Sequence, residues 1–311
     1  MRVVRNLERA RGLLHRPVVT IGNFDGVHRG HQVILGQLRS DAQARGVSSV
    51  VLTFDPHPVG VVRPQAAPRL LMTLGDRLRT LARYGVDVTV VQRFSRDFAA
   101  ITADEFVGRF LVEVLDAQKL LVGHDLNFGS GRTGSVETLV EAGGLYGFAV
   151  EVIGPVEADG VVVHSSVIRR CIADGDVCAA SRLLGRPHRV RGRVQRGSGR
   201  GRGLGFATAN VRPKTASIPM DGVYATFGYL GDEPIPSVTS IGHTPTFGGT
   251  DTVIETHLFD QFGDLYGRGF AIDFIDRLRD QQRFESPAEL AAQIRRDVAQ
   301  AKSMLGAPRQ R

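Results

Sequence analysis

Between residue 17 and about residue 155 the apolar positions fall into two alternating patterns. Short aliphatic and β-branched runs cover Val18–Ile21, Ser49–Phe54, Val86–Gln92, Lys119–Val122 and Ala149–Ile153. Segments with apolar residues at helical spacing lie between them: His31–Arg45, Gly75–Tyr84, Thr102–Leu115 and Ser135–Gly144. Strands separated by helices predict a parallel sheet with helices on its faces. Thr102 with Glu105 reads as a capping box for the third helix. Ser165–Leu184 reads as one or two helices broken at Asp174-Gly175-Asp176. Past Gly185-Arg186-Pro187 the character changes. The runs Arg189–Gln195, Gly222–Tyr229, Ser237–Ile241, Thr252–Leu258 and Gly269–Ile275 are divided by Gly, Pro and Asp, with no helix between them. That spacing predicts an antiparallel barrel. A closing helix, Ser286–Leu305, opens on Ser286, Pro287 and Glu289, a capping box with proline at N1. The expected organisation is an α/β domain over 1–185 and a barrel domain with a terminal helix over 186–311.

Length and composition fit this picture and narrow it. The 311 residues suffice for two domains of ordinary size, and 42% hydrophobic with 23% charged residues is a globular balance. No apolar run approaches the roughly 20 residues that span a bilayer, and Met1–Asn6 lacks a signal-peptide core. A cytoplasmic location is the expectation. Cys171 and Cys178 are expected on one buried helical face; two such residues make neither a disulfide framework nor a zinc site. The net charge is +7, and lysine occurs only at 119, 214 and 302, so the positive charge is nearly all arginine. Arginine suits phosphate by its bidentate fork. The densest patch, Arg189 to Arg202, resembles a Gly/Arg RNA-binding segment, but it has no interleaved aromatics on which bases could stack.

Candidate chemistry sits at the ends of the predicted strands. The strand Val18–Ile21 runs into a loop with Gly22, Asn23, Phe24, Asp25 and Gly30, and a helix follows at once. Strand, glycine loop and helix N-terminus together bind phosphate on exposed backbone N–H groups. His28 and His31 flank that N-terminus, where imidazoles can stabilise charge that builds up in a transferring phosphate. The loop is no Walker A, because no Gly-Lys-Ser/Thr follows, and it lacks the GxGxxG spacing. Thr53–Pro58 closes the next strand. It places Asp55 and His57 by the crevice where parallel sheets bind ligands, although a rigid proline turn explains it equally well. Asp125 and Asn127, in Gly123–Gly129, follow a strand in the same way. Ser165, Ser166 and Arg169 at a helix start form a second phosphate grip. In the second half, the glycine-rich stretch with Gly201, Arg202 and Gly205 lets backbone approach phosphate. Thr208 and Asn210, two apart in an extended segment, offer neutral oxygens to a Mg²⁺ shared with nucleotide phosphates. Glu255 lies in an otherwise apolar β run. By itself it reads as a solvated strand position; facing a pocket, it would accept a hydroxyl proton during phosphoryl transfer.

The pieces GNFDGVHRGH, TFDPHP, VGHDLNFG, SSVIR and GDVCAASRLLGRP, then RGRGLGFATAN, DGVYA, IGHTPTFGG, ETHLFD, DLYG and LRDQQRF, together resemble one family. The chain is similar to the bacterial bifunctional riboflavin kinases/FAD synthetases over nearly all of its length, with the motifs in the family's order. The resemblance implies a Rossmann-like nucleotidylyltransferase domain with an HxGH-type signature, in which the FMN phosphate attacks the α-phosphorus of ATP and pyrophosphate leaves. It implies a riboflavin kinase barrel in which Glu255 is the base on the ribityl 5′-hydroxyl, Thr208 and Asn210 hold Mg-ATP, and Tyr266 joins the ligand-binding set. Riboflavin, FMN and ATP are the implied substrates, with neither nucleic acid nor membrane as a partner. The chain departs from the usual pattern at Leu126, His164, Val167, Ala207 and His243. Most pointedly, Ser166 stands for threonine and Ala207 for proline, and His243-Thr244 replaces a small residue followed by Asn. A weaker kinase is expected from Ala207. A relative with altered substrate or one silenced activity is the first alternative, and an RNA-binding protein using the 189–202 patch is the second.

Overall fold

The computed structural model describes residues 1–196, 206–214, 217–246, 249–259 and 263–306. The chain divides into two compact units. One comprises Met1–Pro68 with Thr73–His164, the other Arg69–Met72 with Ser165–Arg311.

The first unit holds a six-stranded sheet of β1 (Arg2–Arg5), β2 (Val18–Ile21), β3 (Ser49–Asp55), β4 (Val88–Arg93), β5 (Lys119–Gly123) and β6 (Ala149–Ile153). The order is β1-β4-β3-β2-β5-β6 and every pairing is parallel. The short strands β7 (Glu157–Ala158) and β8 (Val161–Val162) pair with each other. The central strands are buried on both faces, as continuous Val/Leu/Ile runs require. β1 is not among the expected strands. Only Val4 of its four residues is buried, so it carries almost no apolar signal, yet its backbone pairs with β4. The expected helix over Thr102–Leu115 begins with half of its expected capping box: Thr102 Oγ1 accepts from Glu105 N at 3.1 Å, while the Glu105 carboxylate accepts from Arg109 Nη1 at 3.2 Å. From Phe106 to Val114 it is a π-helix, in which Leu115 N donates to Phe110 O five residues back. Phe106, Val107, Phe110, Leu111 and Val114 are all buried in the core.

The second unit is a closed antiparallel barrel in the order β10-β13-β12-β11-β14-β9. Its strands are β9 (His188–Gln195), β10 (Ala209–Pro213), β11 (Gly222–Tyr229), β12 (Ile235–Thr246), β13 (Gly249–Leu258) and β14 (Gly269–Arg279). β10 was expected only as an extended segment, and it is the strand that closes the barrel between β9 and β13. β12 and β13 run longer than their apolar stretches. Thr226, Ser237, Thr239 and Thr256, all fully buried, satisfy one another through hydroxyl bonds of 2.8–3.0 Å, so polar residues continue the inward face. The helix Pro287–Gly306 packs Val298, Ala301 and Leu305 on the opposite face of β11 and β12. Its N-terminus is half of the expected box. Glu289 N donates to Ser286 Oγ, but the Glu289 carboxylate accepts from Glu285 N instead of Ser286 N.

The helices Ser165–Ala173 and Val177–Leu184 group with the barrel, because Val177 joins its apolar core. The division by contacts therefore falls at 164/165, ahead of the change in sequence character near 185. The cysteines depart from expectation. They lie on these two different helices, each only half-buried, with Cys178 Sγ donating to Ile275 O at 3.3 Å.

Candidate active sites

In the first unit the candidate loop begins where β2 ends. Gly22 N still donates to Leu52 O of β3 at 3.0 Å, and beyond it the two strands part. The loop then turns through Phe24 at φ 50°, Gly26 at φ 88° and Val27 at φ 40°. A β-branched residue at positive φ is a strained choice, of order 1–3 kcal/mol, held only where the surroundings over-determine it. Here they do. Phe24 and Val27 are buried, and Gln32 Nε2 donates to Val27 O at 2.8 Å. Phe24 is therefore an anchor of the loop, and a ligand would meet its backbone, not its ring.

The helix Arg29–Arg45 starts two residues earlier than expected, because His28 is its N-cap. His28 Nδ1 accepts from His31 N at 3.4 Å, which leaves the neutral ring's proton on Nε2. The His28 and His31 rings stack at 3.7 Å between centroids. The helix N-terminus thus carries two adjacent imidazoles. A Cβ at Gly30 would come within 3.3 Å of the His28 ring, which would have to shift by a few tenths of an ångström.

Sequence reading missed Arg77. It is 3% exposed on the helix Leu74–Arg83, and its Nη1 donates to Asn23 O at 2.8 Å, Thr53 Oγ1 at 2.9 Å and Phe54 O at 2.9 Å. Thr53 Oγ1 in turn donates to Asn23 O. Nη2 stands 4.0 Å from Asp55 Oδ1. Burial pulls the Arg77 pKa down, opposed by the charges of Asp25 and Asp55. A guanidinium remains charged regardless. The available signal was an arginine on the apolar stripe Leu74, Arg77, Leu81, where a leucine would be ordinary.

The remaining first-unit candidates are more open. His57 caps the short helix Pro58–Val62 through Nδ1, a structural role. Asp125 and Asn127 are exposed, with Asn127 Nδ2 donating to Asp125 O at 2.9 Å. In the second unit, Ser165, Ser166 and Arg169 open a nine-residue helix, and Arg169 Nε donates to Arg69 O.

The barrel's candidate residues converge by register. Ala209, Val211 and Ile254 are buried in the barrel core, so Asn210 and Glu255 lie on the opposite strand face. Asn210 and Glu255 are direct partners across β10 and β13, and Glu255 is also the partner of Ser240 on β12. Directly opposed residues stand about 4.5–5.5 Å apart at Cβ. Gln281 Nε2 donates to Ser240 Oγ at 2.8 Å, closing the row. Alternation brings Thr208 to the face of Asn210. His257, two residues from Glu255 on the same face, bonds through Nδ1 to Ala207 O at 2.9 Å, and its ring meets Phe206 edge-on. His257, Ser240 and Gln281 were not singled out from sequence; their proximity is set by strand register, which residue types do not reveal. Tyr266 is half-exposed, with Arg196 over its ring at 5.7 Å. Gly201, Arg202 and Gly205 lie outside the described residues. At His243, Nδ1 pairs with Asp221 Oδ2 at 2.8 Å and Nε2 with Thr252 Oγ1 at 3.3 Å, so this departure from the family's pattern is knitted into its surroundings.

A nucleotide-type loop on a parallel sheet and an acid–amide–hydroxyl row on a barrel define a two-module, ATP-dependent transferase. Comparison with known proteins agrees. Residues 11–167 match the family model for FAD synthetase, and residues 184–305 match that for riboflavin kinase. The bifunctional riboflavin kinase/FMN adenylyltransferase of Escherichia coli K12 is 41% identical over 93% of each chain. That of Pseudomonas fluorescens is 42% identical over 98% of each. A solved chain described as a macrolide-efflux protein from Streptococcus pneumoniae has the same fold, with TM-score 0.90 and 30% identity over 97% of this chain and 99% of that one. Among the described residues no helix is long and apolar enough to cross a membrane. The chain belongs to the bifunctional riboflavin kinase/FMN adenylyltransferase family, and it carries riboflavin through FMN to FAD.

Proposed function

We propose that the two steps are performed at the two sites just described, with the catalytic modules spanning residues 1–185 and 186–311. In the first, the loop Gly22–His31 receives the ATP phosphates on its backbone N–H groups. His28 and His31 stabilise the charge that develops on the α-phosphoryl while an FMN phosphate oxygen attacks it and pyrophosphate leaves. Asp55, Asp125 and Asn127 complete nucleotide and flavin binding in this reading. In the barrel, the Glu255 carboxylate takes the proton of the ribityl 5′-hydroxyl as that oxygen bonds to the γ-phosphorus and ADP leaves.

ATP-dependent transfers of both kinds use a divalent metal. Mg²⁺ is the ion proposed for the barrel. Neutral oxygens from Thr208 and Asn210, with nucleotide phosphates and water supplying the rest, suit a cation that stays partly hydrated. When bound, it would offset the charge of the transferring phosphoryl. The substrates are small molecules, riboflavin, FMN and ATP, handled in the cytoplasm.

The register pairing of Asn210 with Glu255 carries this reading, because it puts a metal-type oxygen and a base side by side on one strand face. Riboflavin with Mg-ATP, analysed for FMN and FAD over time, tests it: FMN should appear and then give way to FAD. Neither product, or FMN alone, would overturn the assignment of two working sites.

A further inference from the structure

Parallel strands β2 and β3 stop pairing at Ile21 and Leu52, with one further bond from Gly22 N to Leu52 O. Past that point β2 turns into a candidate ligand loop while β3 runs on to Asp55 against β4 alone, and the carbonyls of Asn23 and Phe54 have left the β2–β3 ladder. Buried carbonyls need donors. A single atom supplies both, Nη1 of Arg77, which also reaches Thr53 Oγ1. Arg77 also lies among carboxylates: Asp25, 4% exposed in the first loop, and Asp55, at 4.0 Å, in the second. Its charge weakens the negative potential that these carboxylates would present to a polyphosphate.

We propose that Arg77 is the positioning residue of the adenylyl-transfer site. It pins the phosphate loop Asn23–His28 to the turn at Thr53–Asp55 and neutralises the two aspartates beneath the nucleotide phosphates. The inference rests on the reading of the Gly22–His31 loop as that site. Arg77 touches neither substrate nor the reacting atoms; it acts through the loop that carries His28 and His31. All three hydrogen bonds come from Nη1, and Nε has no partner. The hydrogen bonds therefore draw on one nitrogen, and Nη2 serves the charge of Asp55 at 4.0 Å. A charged group with several N–H donors at one atom suffices, and a lysine ammonium has three.

The test uses the full chain, with its own kinase step as internal control. Arg77→Met should lower kcat for FAD formation from FMN about 100-fold, the order expected when reacting groups shift by about an ångström. The KM for ATP should rise severalfold, and riboflavin phosphorylation should stay within twofold of wild type. Arg77→Lys should restore FAD formation to within about fivefold of wild type. Thr53→Val, which removes one acceptor and leaves the charge, should lower kcat about three- to tenfold with KM for ATP unchanged. Should Arg77→Met fail to fold, the lysine and valine variants decide alone. The proposal is overturned by Arg77→Met working within threefold of wild type, by Arg77→Lys being as impaired as Arg77→Met, or by Thr53→Val having no effect. His28→Ala run alongside separates the two levels. If it leaves FAD formation intact, the site is elsewhere. If it abolishes FAD formation while the Arg77 variants do not, only the role of Arg77 fails.

Discussion

The two proposed phosphate-handling sites are built on opposite principles. In the first unit the groups sit on loops beyond the carboxyl ends of parallel strands, where the chain must be forced into shape. Phe24, Gly26 and Val27 all take positive φ, and a buried cation ties two loops together. In the barrel the groups sit on the strands themselves. Asn210, Glu255 and Ser240 form a row across three antiparallel strands, held by the ladder that makes the barrel. A parallel sheet thus needs extra fixings to make a site, whereas an antiparallel one places side chains by pairing alone.

The sharpest way to break this comparison is at Glu255. Glu255→Gln keeps size and removes the base, so FMN formation should fall about 100- to 10,000-fold while FAD synthesis from supplied FMN continues. A variant that phosphorylates riboflavin at near wild-type rate would make Glu255 a surface strand residue. In the first unit, His28→Ala or His31→Ala should each lower FAD formation about 100- to 1000-fold and leave FMN formation intact. Parallel loss of both activities in steady-state assays would argue for one shared site.

Smaller effects sharpen the contrast within the barrel. His257→Ala removes the partner of Ala207 O, a hydrogen bond of about 0.5–1.5 kcal/mol, so the KM for Mg-ATP in the kinase step should rise about 2- to 12-fold. An unchanged KM would mean that the ladder alone positions Thr208. Ala207→Pro tests the opposite change. A proline that fits would remove about 0.4–1 kcal/mol of ordering, a gain of about two- to fivefold in kinase kcat/KM. Lower activity would show that the loop has adapted to alanine.

What the sequence made legible follows the same divide. The first unit's loop was readable because its constraints are compositional: glycines, two histidines three apart and a β-branched strand before them. Most of its strands were readable because buried parallel strands are continuously apolar. β1 was not, since one inward valine among arginines carries no period, and neither was the π-helix, whose apolar positions match a helical stripe. Arg77 escaped because one charge on an amphipathic stripe is read as helix surface. In the barrel Thr208, Asn210 and Glu255 were named, but nothing in their spacing said that Asn210 and Glu255 are cross-strand neighbours. Register is a long-range property, set by pairing residues far apart in the chain. The ends of β12 and β13 were hidden for a related reason: residues 242–246 pair with residues 249–253 through the backbone, with no apolar alternation to mark them.

Complementation between two single variants tests most directly that one chain carries two independent sites. Glu255→Gln alone, given riboflavin and Mg-ATP, should form neither FMN nor FAD. His28→Ala alone should accumulate FMN. An equimolar mixture should convert riboflavin to FAD, because FMN released by one variant is the substrate of the other. A mixture that stalls at FMN or makes nothing, with either variant inactive in the step it should retain, would contradict the account.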